Sequence, residues 1–341
     1  MIKVKLYELD KHRNECTFRP YLYARHVLED IGIEFTTSNS YDFAWIAQAS
    51  FIDKQLPLNE SVEKGLEFLS KITGDYILID GQDSTSLIGS YEVFKQSQAL
   101  LLLKTSLLSN RALYTKGWQL GRQYWGSGEY RLDDFESYSN RIMLSGTNWL
   151  STHWAGINHQ WYNEYRIREY DVCAMFQYPS SKVNYEHGHE QTVFYDKFRK
   201  NAIDALNNMK CKVAKLENGN RVSLDEYYNK MYNSRVVVAP YGYGEMAPRD
   251  LETMMFGNVL IKPDMSGIDT APNIFIDGET YIACAHDFSN LAEKIDEILD
   301  DTEKYYYIAN NARKVILDQM QPSNLAYHMY NVIQKLPGVT C

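Results

Sequence analysis

This chain lacks an excess of basic charge, lacks paired cysteines and lacks a long apolar run, and each absence argues against a class of function. Lys and Arg total 35 against 44 Asp and Glu, a formal charge of −9 at pH 7. That balance opposes a general attraction to phosphate backbones, so no nucleic-acid partner is expected. The five cysteines, Cys16, Cys173, Cys211, Cys284 and Cys341, are odd in number and scattered, with no CxxC pair. They suggest neither a disulfide framework nor a structural zinc site and fit reduced thiols. The most apolar run, Ala99 to Leu108, is interrupted by Lys104 and is far shorter than the roughly 20 residues that cross a bilayer. The N-terminus, MIKVKLYELDKHRNE, is charged and has no apolar signal segment, so it reads as a first strand. No transmembrane segment and a cytoplasmic location are expected, the host cytosol were the chain virus-encoded.

What is present is a chain of 341 residues, 45% hydrophobic and 23% charged. Those proportions are ordinary for soluble globular proteins, and the length suits two domains of roughly 150 residues each. Aromatic residues are abundant at 13%, with Tyr227-Tyr228 and Tyr305-Tyr306-Tyr307 as local concentrations. Such rings can stack on a sugar or a base, and they can equally fill core and surface, so their number alone assigns nothing.

Strand-like and helix-like patterns alternate along both halves. Ile2 to Leu6 predicts a strand, Phe18 to Ile31 a helix ending at Gly32, and Ile33 to Thr37 and Phe43 to Ala47 two further strands. Val62 to Ile72 predicts a helix, Tyr76 to Ile79 a buried strand, and Leu100 to Leu103 another. A second series follows: strand Val172 to Phe176, helix Phe194 to Met209, strand Lys212 to Leu216, helix Leu224 to Tyr232, strand Val236 to Ala239, helix Arg249 to Phe256 and strand Val259 to Ile261. Short strands are expected at Ile274 to Ile276 and Tyr281 to Ala283, and helices at Leu291 to Leu299 and Tyr305 to Gln319. Alternation of this kind predicts α/β architecture: two Rossmann-like, doubly wound parallel-sheet domains facing a cleft. The expected division is 1–160, 161–320, and a tail 321–341 able to cross back to the first domain.

In open parallel sheets, ligands lie beyond the carboxyl ends of the strands. The most informative loop by that rule is VVVAPYGYGEMAPRDLE, Val236 to Glu252: a buried strand, a glycine-bearing loop, then a helix whose first turns carry Arg249 and Glu252. Gly242 and Gly244 allow close backbone approach, the helix start offers unpaired N–H groups, and Arg249 adds a planar cation, a combination suited to a diphosphate. Glu252 lies one turn beyond Arg249, near the same helix face, where a carboxylate can accept from two ribose hydroxyls. An ordinary surface pair between Arg249 and Glu252 is the plainer alternative, and only the glycine loop before it favours a site.

The stretch NSRVVVAPYGYGEMAPRDLETMMFGNVLIKPDMS, Asn233 to Ser266, resembles the donor-binding motif of glycosyltransferases of the GT-B fold, in their group-1-like and exostosin-like branches. Arg249, Glu252 and Gly257 match its R-x-x-E-x-x-x-x-G form. Many retaining group-1 enzymes carry a further Glu where this chain has Gly244, with Glu245 one place out of register. Inverting or retaining chemistry therefore stays open, and Glu245 is a candidate donor-sugar contact. The resemblance implies transfer of a sugar from a UDP-, GDP- or dTDP-linked donor in the second domain to a hydroxyl of a glycan, glycoprotein or glycolipid held by the first. It also implies that no metal or other cofactor is required. Asp80-Gly81-Gln82-Asp83 has the wrong spacing for a D-x-D metal motif, and His187-Gly188-His189 lacks a third ligand. Alternatives on the same scaffold are a two-lobed nucleotide- or glycan-binding protein without transfer, and an epimerase or phosphorylase.

Further candidates come from the other strand ends. Tyr241 joins Gly242, Gly244, Glu245, Arg249 and Glu252 as donor-binding residues, with Ser180, Ser181 and Lys182 in the loop after the second half's first strand. Those three suit phosphate oxygens or, equally, an exposed polar loop. An inverting reaction needs a general base within reach of the acceptor hydroxyl. Asp80 or Asp83, after the Tyr76 to Ile79 strand, is the expected base, with His12 behind them.

Overall fold

The computed structural model describes residues 1–8, 12–82, 84–117, 131–145, 168–178, 191–216, 221–242 and 244–336, with backbone alone for 12–16 and 191–196. The first half contributes β1 (Ile2–Leu6), β2 (Ile33–Thr36), β3 (Phe43–Ala47), β4 (Asp75–Asp80), β5 (Leu102–Lys104), β6 (Ser106–Leu108) and β7 (Ile142–Leu144). The second half contributes β8 (Tyr170–Ala174), β9 (Val213–Lys215), β10 (Ser234–Val238), β11 (Val259–Pro263), β12 (Ile268–Thr270) and β13 (Ile282–Cys284). One parallel sheet runs β2-β1-β3-β4-β5-β7 and the other β9-β8-β10-β11-β13. Both obey the same doubly wound rule. The chain leaves the first strand to one side, returns past it and continues on the other, so a topological switch point falls between β1 and β3 in one sheet and between β8 and β10 in the other.

Strand composition explains the burial. In β4, Ile77 and Ile79 face one apolar cluster while Tyr76 and Leu78 face another. In β10, Val237 faces one cluster and Val236 and Val238 the other. Sheets covered on both faces need apolar residues at successive positions, the pattern of near-continuous Val, Ile and Leu seen here. One cluster includes Val4, Phe18 and Trp45 from the first half together with Met254, Phe256, Met329 and Ile333 from the second. The helix Pro322–Ile333 reaches back to pack on the helices His12–Tyr23 and Arg25–Asp30.

A second link is a two-stranded antiparallel ribbon, β6 with β12, registering Leu108 on Ile268 and Ser106 on Thr270. Ser109 extends it through its N–H to the Gly267 carbonyl at 2.9 Å and through its hydroxyl to Asp269 at 2.7 Å.

The structure departs locally from the sequence expectations. The helix expected over Phe18 to Ile31 is two helices separated at Ala24. The strand expected at Ile274 to Ile276 is a loop, because the Thr280 hydroxyl takes the roles of ladder partners: it accepts from the Ile276 N–H at 2.8 Å and donates to the Ile274 carbonyl at 2.7 Å. The apolar run after Ala99 divides into β5 and β6, which belong to different sheets. Among the described residues no helix is long and apolar enough to cross a membrane.

Candidate functional site

The loop after β10 reaches the switch point of the second sheet and leads into the helix Pro248–Met255. Pro248 opens that helix, where a missing N–H is harmless and φ is already helical. The Asp250 carboxylate closes its first turn by accepting from the Ala247 N–H at 3.0 Å. The same carboxylate is buried against Lys262 of β11, with Nζ to Oδ2 at 2.5 Å, and Lys262 also donates to the Glu245 carbonyl at 2.6 Å. Burial pushes the Lys262 pKa down, against the pull of Asp250. The ammonium thus ties loop, helix start and strand together.

Arg249 extends from this helix start toward β8. Its Nη2 donates to the Met175 carbonyl at 3.1 Å and its Nε to the Tyr227 hydroxyl at 3.2 Å. Phe176 and Tyr227 each place a ring centroid 6.0 Å from the guanidinium carbon. Glu252 is only 6% exposed. Its two oxygens accept from the hydroxyls of Tyr227, at 2.9 Å, and Tyr228, at 3.1 Å. Burial raises the pKa of Glu252 and lifts that of Tyr227 well above the ordinary phenol value.

Sequence reasoning missed Arg199, on the helix Gln191–Asn207. Its Nη1 donates to the Gln177 carbonyl at 3.0 Å, and a Cβ added to Gly242 would lie 3.9 Å from its Nη2. Two guanidinium groups therefore hold carbonyls of the segment just after β8, one on each side of the switch point. An isolated Arg in a helical pattern looks like any solvated side chain, so only the fold exposes Arg199. Gly242 has no positive φ and an added methyl would meet only ordinary contact, so its absence of a side chain is not demanded by its own backbone.

Glu245 lies across from the first half. Its carboxylate, 2% exposed, accepts from the Thr85 N–H at 2.8 Å and the Thr85 hydroxyl at 2.9 Å. The Thr85 carbonyl in turn accepts from the Tyr114 hydroxyl at 2.8 Å, and that hydroxyl accepts from the Leu108 N–H of β6 at 3.1 Å. Burial raises the Glu245 pKa. Tyr241, half-buried, spends its hydroxyl on the Asp264 carbonyl at 3.0 Å.

At the carboxyl edge of the first sheet, Asp80 is fully buried and meets Lys104, with Nζ to Oδ1 at 3.3 Å. Oδ1 also accepts from the Gln82 N–H at 2.9 Å, and Oδ2 has no hydrogen-bond partner among the described residues. In this arrangement the carboxylate is closed to any hydroxyl arriving from solvent. His12 begins the helix His12–Tyr23. Asp83, Ser180, Ser181 and Lys182 lie outside the described residues, as do His187 and His189. Among the described residues no group of three or more His, Cys, Asp and Glu side chains gathers in a form that could hold a metal ion.

No protein-family model matches the chain, and no curated protein matches it in sequence. Solved structures do resemble it. A sucrose-phosphate synthase from Thermosynechococcus elongatus shares 12% identity over 98% of each chain with a TM-score of 0.50. A Listeria monocytogenes protein assigned as a UDP-N-acetylglucosamine 2-epimerase shares 10% identity over 98% of this chain and 96% of its own, with a TM-score of 0.48. The Anabaena protein HepE in complex with UDP-glucose shares 12% identity over 98% of this chain and 100% of its own, with a TM-score of 0.42. At these identities the likeness speaks to architecture. Two doubly wound parallel sheets in one chain, matched end to end by the synthase, give this protein the GT-B fold.

Proposed function

We propose that this protein is a glycosyltransferase that moves a sugar from a nucleotide diphosphate sugar to an acceptor hydroxyl on a glycan or glycoconjugate. The observation that carries the reading is the placement of Arg249 and Arg199 on the two sides of the β8–β10 switch point, each bonded to a carbonyl of residues 175–177, beside a glycine loop and a helix start. A departing diphosphate gathers negative charge, and fixed cations and N–H groups held in place beforehand stabilise that charge without reorganising during reaction. The donor is assigned to residues 161–320, the acceptor to residues 1–160, and the charge of the leaving group to these side chains without a metal. Ser180, Ser181 and Lys182 complete the donor loop in this reading. Because Asp80 is sealed against Lys104, the general base is assigned to Asp83 or His12.

The burial of Asp80 also favours one alternative, a two-lobed protein that binds a nucleotide or glycan without transferring it. Incubation with UDP-, GDP- and dTDP-sugars, with and without acceptors and chelator, separates the two by nucleotide release. Arg249→Ala is expected to weaken donor binding about 10–100-fold, the loss of a charge-assisted contact worth about 1.5–3 kcal/mol. Unchanged nucleotide affinity in that variant removes the assignment. Tight nucleotide binding with no release under any acceptor selects the binding protein.

A further inference from the structure

Glu252 stands where a carboxylate would serve a ribose, yet its oxygens are already occupied. Tyr227 donates to one and Tyr228 to the other, and the residue is 6% exposed. The Tyr227 hydroxyl has a second partner, because it also accepts from Arg249 Nε. No direct ion pair joins Arg249 to Glu252 among the described contacts. A phenol is interposed between cation and anion.

We propose that Glu252 is a positioning residue that acts on Arg249 through the Tyr227 hydroxyl, and that it does not read the ribose. This rests on the reading of Arg249 as the diphosphate contact. A direct carboxylate–guanidinium pair would fix Arg249 and also largely cancel its charge. One intervening hydroxyl fixes it with less cancellation. Donation from Tyr227 to Glu252 increases electron density on the phenol oxygen and strengthens its acceptance from Nε, since linked hydrogen bonds polarise one another. With Nε held by Tyr227 and Nη2 held by the Met175 carbonyl, the side edge of the guanidinium is fixed to protein. Its end, Nη1 with the outer N–H of Nη2, has no protein partner among the described residues. Two N–H groups side by side there match two oxygens of one phosphate. Phe176 and Tyr227 flank the carbon of the same group, which limits its swing.

Inorganic pyrophosphate is the discriminating probe because it carries phosphates and no ribose. Calorimetric titration of the full chain is expected to show that Glu252→Gln and Tyr227→Phe each weaken pyrophosphate about tenfold, with the double variant no weaker than the worse single one. A carboxylate reserved for ribose would leave pyrophosphate affinity unchanged in Glu252→Gln and lower UDP affinity alone; that result overturns the proposal, as does additivity in the double variant. A ligand-free arm follows the arginine Nε–H resonances, with Arg249 assigned through Arg249→Lys. The Arg249 signal is expected to exchange slowly in the native chain, to lose protection in Tyr227→Phe and to exchange faster in Glu252→Gln. Unaltered protection in both variants also overturns the proposal. Should the native chain bind pyrophosphate no better than Arg249→Lys does, the diphosphate reading falls, and the resonance arm still decides whether the relay exists.

Discussion

The two sheets share one order over five strands, the first adding β7 at its edge, yet the segments beside their switch points differ in chemistry. After β3 the chain turns directly into the short helix Gln48–Phe51 and then into Leu58–Leu69, whose first turn carries Glu60. After β10 it passes through a loop with Gly242 and Gly244 into a helix that opens with Pro248 and Arg249. Both first turns hold a carboxylate, Glu60 in one and Asp250 in the other, but Asp250 is buried against Lys262 and stands next to Arg249; a paired carboxylate opposes an anion at a helix start less than an unpaired one does. The same topology thus places Arg249 and the buried Lys262–Asp250 pair at the helix start after β10, where the helix Leu58–Leu69 after β3 presents Glu60. The other half answers with the loop bearing Thr85, which meets the glycine loop through Glu245.

The strongest way to break this comparison is to remove the cation beneath the glycine loop. Lys262→Met leaves Asp250 buried without its ion partner, and loss of one member of such a pair costs about 3–5 kcal/mol. Urea unfolding followed by tryptophan fluorescence is expected to show the loss as a lower midpoint, because Trp45 lies in the apolar cluster shared by both halves. An unchanged midpoint would show that the Lys262–Asp250 pair contributes nothing to stability.

Glu245→Gln sharpens the contact between them. Burial raises the Glu245 pKa, so the folded chain binds this proton more tightly than the unfolded chain does. The resulting contribution is intact below the ordinary glutamate range and declines as pH rises through the raised folded value. Glutamine keeps a hydrogen-bonding group against Thr85 and has no proton to lose. The fall in melting temperature as pH rises above the ordinary glutamate range is therefore expected to be smaller in the variant; an equal fall shows that Glu245 is not its source.

The smallest effect belongs to the rim. Arg111 pairs with Asp269 at 3.0 Å across the ribbon, with both side chains about a third or more exposed. Arg111→Ala is expected to change stability by about 0–1 kcal/mol, less at high salt. A loss comparable to Lys262→Met would show that the ribbon depends on this pair.

Local pattern carried the architecture because parallel strands covered on both faces need the apolar runs seen at Tyr76–Ile79 and Val236–Ala239. The loop into Arg249 was legible for a similar reason: glycine, proline and a helix start are all local signals. Tyr227 and Tyr228 stood out only as an aromatic doublet, since their shared partner Glu252 lies on another helix. Glu245 and Thr85 are separated by 160 positions, and no periodicity encodes such a meeting. The β6–β12 ribbon escaped notice because its strands are three residues each, too short for alternation to declare itself.

The ribbon carries a mechanical consequence. Three ladder positions continued by Ser109 hold the halves in register along one seam, and the helix Pro322–Ile333 packed on the first half holds them at another, so sliding one half past the other would have to break both. Markers placed beside Leu108 and Ile268 are expected to hold their spacing whether or not a nucleotide sugar is added.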